Sequence, residues 1–182
     1  MLRNRLPLAA ALLLAAAPAQ AQVEFTVAAA VVAPGSIYVT PYDWDTSAGF
    51  TLNAGVDYPV APRLSAGLVL QYSSVTASEL DVGVSAFGAG VSLKVLLGDR
   101  AGWHYKLGAN ILYQLDQVDV EGAEDAQGLG VGALFEVLKP ISTSTNIVGQ
   151  VGFITQPSGG NDVADVTWGP IFFLGAGVAF GG

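Results

Sequence analysis

Apolar and polar residues alternate with a period of two in several long segments of the chain. In 48–58, apolar or aromatic side chains from Ala48 to Tyr58 occupy every second position, with small or polar residues between them. The same alternation returns in 64–73 and 103–115. Because successive side chains of a strand point to opposite faces, each segment predicts a β-strand with one apolar face.

Extended along the chain, this pattern predicts eight strands, each about as long as the 9–11 residues that a tilted strand needs to cross a bilayer. In the fourth strand, Val82 and Val84 have the opposite parity to the apolar residues from Phe87 onward, which predicts a β-bulge near Ala86. The predicted strands are 23–33, 47–58, 63–73, 82–97, 103–115, 128–138, 146–156 and 167–180.

The connections alternate in length, which distinguishes the two ends of the predicted sheet. Short turns near positions 60, 100 and 142 alternate with longer polar segments at 34–46, 74–81, 116–127 and 157–166. Short periplasmic turns and longer outer loops are typical of outer-membrane barrels. We therefore predict an all-β fold: an antiparallel up-and-down transmembrane β-barrel of eight strands, with acidic outer loops and both termini in the periplasm.

The N-terminal segment has the pattern of a secretory signal peptide. Arg3 and Arg5 precede an apolar run at 6–17, and small residues follow at Ala19 and Ala21. The apolar run is too short to span a bilayer as a helix. We predict a cleaved signal peptide at 1–21, with cleavage after Ala19 as the nearby alternative, and a barrel domain at 22–182 in the bacterial outer membrane.

Composition agrees with a lipid-facing surface. The mean hydropathy of +0.51 is high for a secreted globular domain, although no long apolar stretch follows the signal. A soluble lipocalin-like barrel would instead turn its apolar face inward around a ligand. The chain has no cysteine, so neither disulfides nor thiolate metal sites are expected. Its formal net charge is −8, so nucleic acid is not an expected partner. The expected partner is outer-membrane lipid.

Aromatic residues fall at the two ends of the predicted strands, as expected where amphipathic rings lie at lipid–water interfaces. The predicted interface residues are Tyr58, Trp103 and Tyr105 near the periplasmic end, and Tyr72, Tyr113 and Trp168 near the outer end.

The last strand resembles the C-terminal signal that the barrel assembly machinery reads. Gly175, Val178 and Phe180 match that signal, although Leu174 replaces its usual polar residue and two glycines follow the aromatic one. The strand count and the turn beginning at Asp57 resemble the small barrel family that contains OmpX, OmpW and the transmembrane domain of OmpA. This resemblance implies an outer-membrane barrel that meets the assembly machinery during biogenesis.

Ionisable residues inside an eight-stranded barrel must find partners, because its interior is just wide enough for side chains. Folding the strands around position 100 places Lys94 opposite Lys106, and folding them around position 121 places Lys106 opposite Glu136. We predict a structural plug of ion pairs, with a gate or proton-sensitive narrow pore as the alternative. The predicted interior cluster comprises Glu24, Asp57, Lys94, His104, Lys106 and Glu136.

Eleven of the fifteen acidic residues lie in or beside the predicted outer loops, whereas all five basic residues after the signal lie in the periplasmic half. One interpretation is that these acidic residues only form a solvated surface. The alternative interpretation is that their carboxylate oxygens bind Ca²⁺ or Mg²⁺. The candidate ligands are Asp119, Glu121, Glu124 and Asp125.

We predict a non-enzymatic outer-membrane protein with a structural or surface-interaction role and an interior filled by polar side chains. His104 is the only histidine, and its predicted position near the periplasmic end does not suit acyl transfer on outer-leaflet lipid. Beyond the divalent cation, no cofactor is expected. The alternative function is a narrow channel or a carrier for small apolar molecules, as the resemblance to OmpW implies.

Overall fold

The computed structural model describes residues 23–120 and 124–181, and ten strands lie in these ranges. The predicted signal peptide and the candidate ligand Glu121 lie outside them. No helix in the described ranges is long and apolar enough to cross a membrane. The strands are β1 Glu24–Val32, β2 Ser36–Val39, β3 Tyr42–Asp45, β4 Gly49–Ala61, β5 Leu64–Ala77, β6 Val82–Arg100, β7 Trp103–Val118, β8 Ala126–Pro140, β9 Thr145–Gly160 and β10 Val166–Phe180.

The strands form a closed antiparallel ring. The strands from β4 to β10 pair in sequence order, and β1 lies between β4 and β10. At the seam between β1 and β10, Phe25 is opposite Phe180 and Val32 is opposite Phe173. Closure satisfies the backbone hydrogen bonds within the sheet, as a bilayer requires. The predicted up-and-down barrel is therefore confirmed. We call the end with the short turns the periplasmic end and the opposite end the outer end.

The two short strands, β2 and β3, continue β1 and β4 beyond a kink. Val32 is opposite Gly49 below the kink, and Ser36 is opposite Asp45 above it. The kink contains Pro34, which has no N–H to donate to the ladder. Above the kink, β2 pairs with β10 and Thr46 bridges to β5. Segment 34–46, which was predicted to be an outer loop, thus mostly extends the barrel wall.

The predicted faces of the strands are confirmed in β5 and β7. In β5, Leu68 on the outer surface is 55% exposed, whereas its neighbour Val69 is 8% exposed and faces the interior. The same alternation holds in β7, where Leu107, Ile111 and Tyr113 are all exposed on the outer surface. The exterior of the wall is thus an apolar band suited to lipid.

The bulge predicted near Ala86 is wrong. Pairing of β5 with β6 is continuous through this region, and the irregularity in β6 lies instead between Leu96 and Gly98. Val84 and Ala86 are buried inside the barrel. The prediction failed because it assumed a polar interior, whereas apolar side chains also pack inside the outer half.

Trp168 does not belong to the outer aromatic girdle, contrary to the prediction. The pairing of β10 with β9 shifts register between Trp168 and Ile171, where Gly169 and Pro170 lie. A bulge of one residue exchanges the two faces of a strand, so Trp168 points inward and is 5% exposed. The other predicted girdle residues lie on outward-facing positions: Tyr58, Tyr72, Trp103, Tyr105 and Tyr113.

Candidate functional site

Charged side chains from three strands meet in the periplasmic half of the interior. Lys94 Nζ of β6 lies 2.8 Å from Asp57 Oδ2 of β4 and 3.0 Å from Glu136 Oε1 of β8. Lys94 is 6% exposed, and each of the two carboxylate residues is 2% exposed. Ser92 Oγ donates a hydrogen bond of 3.0 Å to Asp57 Oδ1. One lysine therefore compensates two buried carboxylates.

A second ion pair lies beside this triad. Lys106 Nζ is 2.6 Å from Glu24 Oε1, and both side chains are more than four-fifths buried. Together the triad and this pair form what we call the polar layer, and they bring five of the six predicted cluster residues together. A cavity of about 30 Å³ lies against the layer and is lined by Gln71, Ser92, Lys94 and Gln150, among others. It has room for about one or two water molecules.

The predicted contact between Lys106 and Glu136 is wrong at the level of side chains. Their backbones are opposite each other, as predicted. However, Lys94 is opposite Gly108 rather than Lys106. A Cβ at Gly108 would lie 3.1 Å from Lys94 Cγ, so the glycine leaves room for the lysine to cross β7 and reach Glu136.

His104 does not join the polar layer, which corrects the sixth residue of the predicted cluster. Its Nδ1 contacts Asp99 Oδ1 near the β6–β7 turn. The side chains of His104 and Asp99 are 39% and 56% exposed. The pair lies at the periplasmic mouth, where water screens its interaction.

A cluster of apolar side chains, which we call the apolar layer, packs inside the outer half of the barrel beside buried polar residues such as Thr51 and Gln114. Leu112 of β7 has no exposed surface, and Ile37 of β2 is almost as buried. A cavity of about 10 Å³ within this layer is smaller than a drug-sized ligand needs. Other members of the layer are Val32, Val75, Val84, Ile154, Trp168, Ile171 and Phe173.

The sequence analysis missed the apolar layer, although a signal for it is present. In 171–174, four large apolar residues follow one another without alternation. Such a run is typical of a strand that is apolar on both faces. Phe172 and Leu174 face lipid, while Ile171 and Phe173 pack inside.

Asp116 is not an outer-loop residue, contrary to the prediction. It lies on β7 and faces the interior, where it is 1% exposed. Gln156 Nε2 donates a hydrogen bond of 2.6 Å to Asp116 Oδ2. Glycines make room for the Gln156 amide, because a Cβ at Gly128 would lie 2.6 Å from Nε2.

The three residues of the predicted assembly signal lie at the seam that closes the barrel. Phe180 is exposed on the outer surface, and Val178 pairs with Val27. A side chain at Gly175 would collide with the backbone of Ala29 and with Ala30. The glycine is thus required by close approach of β1 and β10, and the role in assembly stays a prediction.

The predicted metal ligands lie on the outer rim. Asp119, Glu124 and Asp125 are exposed, and Gln117 Nε2 donates a hydrogen bond of 3.3 Å to Asp125 Oδ2. Within 23–120 and 124–181, no group of three or more histidine, aspartate or glutamate side chains could hold a metal ion. Binding of a divalent cation stays a prediction.

No protein-family model and no curated protein sequence matches the chain. Solved structures do match. Neisserial surface protein A, NspA, is 15% identical with a TM-score of 0.62, over 87% of this chain and 96% of that one. OprG from Pseudomonas aeruginosa is 13% identical with a TM-score of 0.57, over 89% and 96% of the two chains. Ail, the attachment invasion locus protein of Yersinia pestis, is 12% identical with a TM-score of 0.51, over 86% and 98%.

The chain has the fold of the small outer-membrane β-barrels. The match covers 96% of both the NspA and the OprG chains, and the strands of the described residues close into one antiparallel ring. Identities this low show a shared fold and not a shared activity. The function has to be argued from the interior and the rim of this chain.

Proposed function

We propose that the protein is a non-enzymatic barrel of the bacterial outer membrane that has a structural or surface-interaction role and does not conduct. The observation that supports this most is the filling of the interior at two successive levels. Glu136 in the polar layer and Leu112 in the apolar layer are both almost inaccessible to water. A solute would have to displace side chains at both levels to pass.

The polar layer favours a permanent seal over a gate. Its two lysines each contact at least one carboxylate within 3.0 Å, so opening would separate buried charges. Separating such a pair in a water-poor interior is strongly unfavourable. The layer therefore stabilises the closed barrel.

A carrier for small apolar molecules would need an apolar cavity that admits one. The cavity in the apolar layer, at about 10 Å³, holds at most one water molecule. The structural role is therefore the better supported of the two functions.

The outer rim is the part of the described chain that would face the outside of the cell. Nine of the eleven acidic residues assigned to the outer end are exposed there, since Asp116 is buried and Glu121 lies outside the described ranges. Our proposal includes attraction of divalent cations to these carboxylates, whose oxygens are hard ligands.

Conductance tests the proposal. The mature protein, refolded and inserted into planar lipid bilayers, should show no steady open level above that of protein-free bilayers. A refolded porin of known conductance is the positive control for insertion. A reproducible unitary conductance from the wild-type protein would contradict the sealed interior and favour the channel function.

A further inference from the structure

Each outer connection exposes an apolar or aromatic side chain next to carboxylates. In the β2–β3 hairpin, Tyr42 is 62% exposed beside Asp43 and stacks on Trp44 with 6.4 Å between ring centroids. The pattern recurs in the other three connections. Leu80 lies between Glu79 and Asp81, Val120 follows Asp119, and Val163 follows Asp162. Leu80 and Val120 are each 50% exposed, and Val163 is 79% exposed.

These exposed apolar residues are not part of the lipid-facing band. Leu80 lies eight positions beyond Tyr72, which marks the outer aromatic girdle on β5. Val120 likewise lies beyond Tyr113 on β7. Carboxylates beside them would be repelled by the phosphates of a lipid surface. These tips therefore lie beyond the apolar band of the wall, at the outer end of the barrel.

Hydrogen bonds join the described parts of the four connections, 34–46, 74–81, 116–120 with 124–127, and 157–166, into one rim. Each is bonded to the next, so the series of hydrogen bonds runs completely around the barrel mouth. Ser78 N donates to Asp45 O (2.8 Å), Asp119 N to Gly83 O (2.9 Å), Asn161 Nδ2 to Glu124 O (3.2 Å) and Thr40 N to Asp165 O (3.1 Å). Beneath the rim, the apolar layer supports it. These bonds hold the described parts of the four tips in defined relative positions.

The rim carries charge of one sign. Its nine exposed carboxylates have no basic residue near them, because every lysine, arginine and histidine of the described ranges lies in the periplasmic half. A surface of this kind attracts cationic partners and repels anionic ones. Exposed apolar side chains among the carboxylates add contacts that a metal ion alone could not use.

We propose that the outer rim is a docking surface for a cationic polypeptide segment that also presents apolar side chains, that is, a basic amphipathic peptide. This proposal rests on the surface-interaction role proposed above. Lysines or arginines of the partner pair with the rim carboxylates, and its apolar side chains cover Leu80, Val120 and Val163. Because the rim is ordered before binding, little conformational entropy is lost on its side of the interface.

The test uses the mature protein in nanodiscs of phosphatidylcholine, a lipid without net charge. The probe is a synthetic helical peptide of lysine and leucine with all leucines on one face. Its affinity is measured by fluorescence anisotropy against empty nanodiscs. We expect saturable binding at least about tenfold tighter than to empty discs, weakening as salt rises.

Two sets of variants separate the contributions of apolar contact and charge. Leu80→Ser, Val120→Ser and Val163→Ser together remove the apolar tips, and Glu79→Gln, Asp119→Asn and Asp162→Asn together remove three charges. Each set should weaken binding about tenfold. The matched control combines Val60→Ser with Ile141→Ser, two equally exposed apolar residues at the periplasmic end, and should bind as the wild type does.

Binding no tighter than to empty nanodiscs would overturn the docking surface, as would binding that both rim sets leave unchanged. A peptide with serine in place of leucine that binds equally well would show that charge alone acts, and would also overturn the proposal. None of these results would contradict the proposal that the barrel interior is sealed. That proposal would be contradicted by a measured conductance.

Discussion

Lys94→Met should lower the free energy of unfolding by about 3–5 kcal/mol, the cost of breaking a buried ion pair by removing one partner. Methionine approximates the length of the lysine chain, so packing changes little. The substitution leaves Asp57 and Glu136 buried with no cation within 3.0 Å in the described chain. Equilibrium unfolding by urea in lipid vesicles measures the effect.

Removing the partner charges as well should recover much of this loss. The triple variant Lys94→Met, Asp57→Asn and Glu136→Gln leaves no charge in the triad, so its destabilisation should fall below the sum of the single effects. The difference should be about 0.5–3 kcal/mol for each contacting pair.

Lys139→Met is the control, because Lys139 Nζ lies near the surface, 5.1 Å from the centre of the Trp103 ring. This substitution should lower the free energy of unfolding by no more than about 1 kcal/mol. Strict additivity in the triad would show that these side chains do not interact.

Ala109→Arg should destabilise the folded barrel in lipid by about 2–4 kcal/mol, as a charge at the bilayer midplane does. Ala109 points outward on β7, four residues from Tyr105 and four from Tyr113. It therefore lies midway between the two aromatic girdles. The same urea titration in vesicles measures the change.

Ala109→Leu is the matched control, because it adds bulk at the same position without charge and should change stability by no more than about 0.5 kcal/mol. Val163→Arg, at the exposed outer rim, should also change the free energy of unfolding by no more than about 0.5 kcal/mol. Equal free energies of unfolding for Ala109→Arg and Ala109→Leu would mean that this face of β7 does not meet hydrocarbon.

The strands and their faces could be predicted from the sequence because a strand in a one-layer wall has two distinct environments. In β5, the contrast between Leu68 and Val69 is set by lipid outside and packing inside. The prediction was wrong wherever both faces are apolar or the parity changes. Trp168 is the clearest case, since the bulge that turns it inward depends on pairing with β9 rather than on local sequence.

Most residues of the polar layer could also be predicted, because charged residues at inward positions are rare and must meet. The side-chain contacts that these residues make with one another could not be predicted. Lys94 reaches Glu136 across β7 because Gly108 has no side chain, and that geometry appears only in three dimensions. Asp116 was misplaced because its strand extends beyond the membrane girdle into a segment whose polar composition resembles a loop.

Accessibility of single cysteines to a membrane-impermeant maleimide tests the sealed interior most directly, since the chain has no native cysteine to react. Ser92→Cys probes the polar layer, Ala86→Cys probes the apolar layer, and Val163→Cys reports the open rim. In the folded protein, the Val163→Cys variant should be labelled completely, whereas the Ser92→Cys and Ala86→Cys variants should react only after unfolding in denaturant. Labelling of either interior variant at the rate of the rim variant would mean that water fills the barrel, which contradicts the account.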